Sequence, residues 1–168
     1  MNGEAMKTIK GIIFGLIFGF VISLCFSFLF MGAAQGLAGG FTSLAGERWV
    51  YYATFPPFTI TFSILGFYFA RQDNVSNKKL WFLSIISALF NSLYTGTIGA
   101  LFGEYALRGG SLRTYTASEA AGINVEGVLI WGTLYAFILL PLTVPLARLL
   151  IGAFLELLKK FKINKCTA

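Results

Sequence analysis

Apolar and polar positions along this chain segregate on the scale of whole helices. Uncharged, largely apolar runs fill residues 11–31, 49–70, 80–103 and 127–147, and the charged residues all lie before, between and after them. Each run exceeds the roughly 18 apolar residues that mark a helix able to cross a ~30 Å hydrocarbon core. A continuous helix satisfies its own backbone donors and acceptors, which lipid cannot do. The pattern predicts an all-α membrane protein. It is a single polytopic domain built as a four-helix transmembrane bundle, with loops at 32–48 and 104–126 on one side. Loop 71–79 and the tail 148–168 lie on the other. The first span is longer than a cleavable signal core and is expected to stay as a signal anchor.

A second pattern lies inside the spans. In the first, Gly11, Gly15, Gly19, Ser23 and Ser27 recur every fourth residue, with Phe14, Phe18, Ile22, Phe26 and Phe30 in a row beside them. Residues at that spacing share a helix face, and small side chains there let two backbones approach closely. The third span has two such rows, Ser84, Ala88, Ser92, Gly96 and Ala100 beside Ser87, Asn91, Thr95, Gly99 and Gly103. Two readings follow: the first span packs on the third, which sits in the middle of the bundle, or these faces join copies of the chain. The helix-packing or oligomer interface is therefore assigned to Gly11, Gly15, Gly19, Ser23, Ser27, Ser84, Ala88, Asn91, Ser92, Thr95, Gly96 and Gly99. Asn91 lies near the middle of its span, where its amide needs a partner.

Charge orients the bundle. Lys7 and Lys10 precede the first span, Arg71, Lys78 and Lys79 separate the second from the third, and Arg148, Lys159, Lys160, Lys162 and Lys165 follow the fourth. The other side holds only Arg48, Arg108 and Arg113. Basic residues in short loops stay cytoplasmic, so both termini are expected there. Composition agrees with membrane residence: 57% of residues are hydrophobic and 12% charged, against about 45–50% and 25% in soluble domains. That excludes a soluble domain and a disordered chain. The net charge of +6 is a topology signal, and no direct nucleic-acid partner is expected.

Beyond the fourth span, Leu150, Ala153, Phe154, Leu157, Leu158 and Phe161 recur at helical spacing. They predict a C-terminal amphipathic basic helical extension over 149–165, either continuing the span or lying separately on the inner surface. Its basic residues, with Arg148, would meet anionic headgroups or a cytoplasmic protein. The Gly- and Ala-rich segment 32–48 is expected to be an interfacial loop, with a re-entrant loop as the alternative. Pro56, Pro57, Pro141 and Pro145 each remove a backbone donor and are read as kinks satisfied by neighbouring groups.

Catalytic chemistry is sparse. The chain has no His and only two Cys, Cys25 and Cys166, far apart in the sequence. No span contains Asp, Glu, Lys or Arg, the residues that betray proton relays and ion-coupled transport. No phosphate-binding loop or dinucleotide turn occurs. The expectation is a protein that is not an enzyme and uses no cofactor or metal. It would be a non-catalytic subunit of the bacterial inner membrane that self-associates and anchors or signals to a cytoplasmic partner, as a stress or phage-defence sensor would. A small oligomeric channel around the third spans is the alternative, and a bacteriocin immunity protein a weaker one.

Overall fold

The computed structural model describes residues 3–37, 48–72, 74–107, 125–161 and 163, and everything described is helix or short connection. The chain folds as α1 (Gly3–Leu37), α2 (Arg48–Arg71), α3 (Asn77–Tyr94), a π-helical turn (Thr95–Gly99), α4 (Ala100–Leu107), α5 (Val125–Ile138) and α6 (Leu140–Lys160). Four stretches are long and apolar enough to cross a membrane: Glu4–Ala33, Val50–Arg71, Asn77–Gly103 and Leu140–Lys160. Most of the loop at 32–48, loop residues 108–124, Asp73, and Lys162, Lys165 and Cys166 of the tail lie outside the described residues. So does the expected re-entrant loop.

The small-residue row of α1 finds its partner in α2, not in the third span. Gly11 faces the Gly66 carbonyl and Ala70, Gly15 the Phe62 carbonyl, and Gly19 the Phe58 carbonyl. The partner row is also spaced by four, so the two helices run antiparallel with backbones touching along their length. A methyl group at Gly11 would sit 2.5 Å from the Gly66 oxygen. At Ser27 the row ends in a hydrogen bond of 2.7 Å to the Thr54 hydroxyl. The third span was the wrong partner because α2 carries the complementary row: Thr54, Phe58, Phe62, Gly66 and Ala70 supply both small gaps and large rings.

The centre of the bundle is α2 as well, a correction to the expectation for the third span. It touches α1, α3, the π-helical turn, α4 and α6. Its most apolar 18-residue stretch is 56% buried, against 11% for the third helix. Small residues on α3 bury part of one face but leave the rest half-exposed toward a cleft. Pro56 and Pro57 are accommodated within α2, and Thr59 donates its hydroxyl to the carbonyls of Phe55 (2.8 Å) and Pro56 (3.0 Å).

The fourth hydrophobic segment differs most from its expected boundaries of 127–147. It breaks at Leu139, where φ is −84° and ψ −6°, a sparsely allowed region. Pro141 has no N–H for the Phe137 carbonyl, which is a standard cause of such a break. α6 then runs without interruption to Lys160, so the expected amphipathic extension is the second half of this helix. It does not lie apart on a surface. Ile151, Phe154, Leu155 and Leu158 enter the main core with Phe62, Leu65, Phe69, Ala70 and Leu80. Phe154 is fully buried among the rings of Phe18 (5.0 Å), Phe62 (5.3 Å), Phe14 (6.2 Å) and Phe69 (6.3 Å). Phe161 reaches Phe14 at 5.1 Å, so the end of α6 rests on the start of α1.

Candidate functional site: a cleft within the bundle

α5 packs on the π-helical turn, where Gly132 and Gly96 meet so closely that a side chain on Gly132 would overlap the Gly96 carbonyl. On the other side of that turn Gly99 abuts Ala53 of α2. The turn is thus held between α2 and α5. π-turns are rare and often accompany functional sites.

Below this contact the helices part around a cleft of about 460 Å³. α1 contributes Phe26 and Phe30, and α2 contributes Thr54, Phe58, Thr61 and Phe62. The next wall is Ser87, Ala88, Asn91 and Ser92 of α3, with Thr95 of the π-helical turn. The broken fourth segment closes the far side from Tyr135 through Leu139, Leu142 and Leu146 to Ile151. Among the described residues α1 does not touch α5, so a gap separates these two cleft-lining helices.

Many wall residues carry hydroxyls, yet the wall is almost wholly carbon. Several of the polar groups are turned into the helices. Thr54 donates to the Val50 carbonyl (3.0 Å) and accepts from Ser27. Thr143 lies 3.1 Å from the Leu139 carbonyl. The Asn91 amide nitrogen donates to Thr61 Oγ1 (3.0 Å) and to the Ser87 carbonyl (2.7 Å). A carbonyl can only accept, so this fixes the orientation of the amide. The Asn91 oxygen is left buried without a partner.

The residues assigned from sequence divide accordingly. Gly11, Gly15, Gly19, Ser23 and Ser27 are buried on the α1 face that packs on α2. Ser84 is buried with its hydroxyl on the Leu80 carbonyl, while Ala88, Asn91, Ser92, Thr95 and Gly96 form one cleft wall. The structure does not bring Arg148, Lys159 or Lys160 into this site. Arg148 donates to Asn77 Oδ1 at the start of α3 (2.9 Å) and has an unpartnered Nε; Lys159 and Lys160 are exposed at the end of α6. Sequence reasoning missed the far wall of the cleft. Pro141 was the available signal, since it sits where that wall bends.

Among the described residues no carboxylate, amine, guanidinium or thiol lines the cleft, and no cluster of three metal-ligating side chains occurs. What this arrangement can do chemically is bind an apolar molecule. Comparison with protein-family models, curated proteins and solved structures finds no match.

Proposed function

We propose that this chain is a non-catalytic protein of the bacterial inner membrane, with both termini cytoplasmic, that takes a lipophilic molecule into its cleft. It would signal that occupancy to a cytoplasmic partner. One observation carries the reading: α6 lines the cleft from Leu142 to Ile151 and continues to the exposed, basic Lys159 and Lys160. Whatever fills the cleft therefore bears on the helix that faces the partner. The small-residue face of α1 is occupied by α2 within one chain, so it lends self-association no support.

Native mass spectrometry of the chain, purified from membranes in mild detergent, tests the proposal. The expected result is one lipophilic adduct per chain, lost in Ser92→Phe, which fills the cleft from the α3 wall. A chain that never retains an adduct overturns it. A pore along the third helix is the second reading, favoured by Ser87, Asn91, Ser92 and Thr95 sharing a wall. Narrow polar pores need such groups turned inward, and Asn91 is turned away. Ion flux into proteoliposomes that vanishes in Asn91→Leu would put the pore first.

A further inference from the structure

We propose that the cleft holds a single acyl chain of a bilayer phospholipid, an inference that rests on the cleft being a lipophilic site. Its wall decides the chemistry. A polar ligand taken into a carbon-walled site would lose its hydration without regaining hydrogen bonds, at a cost of several kcal/mol in an apolar medium. The Asn91 oxygen, buried without a partner, is sealed off from the cleft surface, so it offers a hydrogen-bonding ligand no handle. A hydrocarbon chain loses nothing by entering.

Shape narrows the class further. The cleft is closed at one end by the contact of Gly96 with Gly132. At the other it ends on Phe62 and Ile151, which belong to the buried core. Along its side α1 and α5 do not meet, which leaves a gap where a membrane would present acyl chains. Size agrees: a volume of about 460 Å³ holds about fifteen groups of ~30 Å³, the share of one water and close to that of one methylene. That is one long chain.

The test uses lysophospholipids with one head group and chains of eight to eighteen carbons as probes, together with anthracene as an apolar ring. All are added to the full-length chain in mild detergent and read by native mass spectrometry. Retention of one lysophospholipid per chain should rise with chain length, by less than the about fourfold per methylene of transfer from water because the probe leaves a micelle, and then stop rising at about fifteen carbons. Ser92→Phe should abolish it. Ala147→Phe, placed near the inner end, should move the optimum to shorter chains, so the test survives if one variant fails to fold. Retention that keeps rising through eighteen carbons, equally in all variants, is general partitioning and overturns the proposal. Saturable anthracene binding that no lysophospholipid displaces overturns the acyl assignment while leaving the lipophilic site standing. Retention of neither probe overturns both, and a lipid-free dimer covering the cleft gives it to a second copy instead.

Discussion

At the scale of single residues, the contact between α1 and α2 depends on absent side chains. Gly15 faces the Phe62 carbonyl so closely that any Cβ there overlaps backbone, and backbone inside a paired helix cannot retreat as a side-chain tip can. Gly15→Leu is expected to destabilise the bundle by at least about 2 kcal/mol, toward the upper range for overpacking. Gly36, with no atom within 4 Å of its would-be Cβ, is the control. Gly36→Ala should be neutral or stabilise by up to ~1 kcal/mol through helix propensity. Unfolding in mixed micelles measures both, and equal effects would show that proximity to α2 is not what constrains Gly15. Arg71 behaves differently again: its guanidinium lies 4.1 Å from the centre of the Phe67 ring, at a helix C-terminus that favours positive charge.

At the scale of elements, the break at Leu139 divides a helix with two tasks: α5 packs on the π-helical turn, and α6 lines the cleft and fills the core. Pro141→Ala restores an N–H for the Phe137 carbonyl and should straighten the joint. Nitroxide pairs at Trp131 and Leu157 would then move toward the ~39 Å separation of a continuous helix, as electron–electron distance measurements report. An unchanged distance would mean that packing of the flanking helices, rather than proline, makes the break. The elements also show what the sequence could reveal. Charge-free runs fall within a few residues of the second and third candidate spans and inside the longer α1, because length and hydropathy are local properties. The row at Gly11, Gly15 and Gly19 announced a close helix contact for the same reason. Its partner could not be read, since small residues on α3 fit a packing face as well as a cleft wall. Nor did Ile151, Phe154, Leu155 and Leu158 disclose their fate, because an amphipathic stripe suits a protein core and a membrane surface alike. The cleft itself arises from helices that do not meet, which no single helix encodes.

At the scale of the whole molecule, the central position of α2 and the charge asymmetry combine into a topology. On the proposed topology, with both termini cytoplasmic, cysteines placed at Glu4, Asn74 and Lys160, in a background lacking Cys25 and Cys166, should react with a membrane-impermeant maleimide only from the cytoplasmic side. A cysteine at Glu126 should react only from the opposite side. Labelling of Glu4→Cys and Lys160→Cys from opposite faces would overturn the four-crossing arrangement. The bundle is asymmetric in depth as well. Toward the ends of α3 and α5 farther from Arg148 it is held by glycine contacts, and around Phe154 by a cluster of rings. The cleft lies between two regions closed by different means.

The α1–α2 contact has a consequence for biogenesis. Every residue of that interface lies before Arg71, so the first two helices can dock as a hairpin while the rest of the chain is still on the ribosome. Contacts so close in sequence incur little loop-closure entropy. The ring cluster around Phe62 and Phe69 waits longer, since Phe154 is among the last helical residues made. Until it arrives, the surrounding lipid must stand in for the end of the protein.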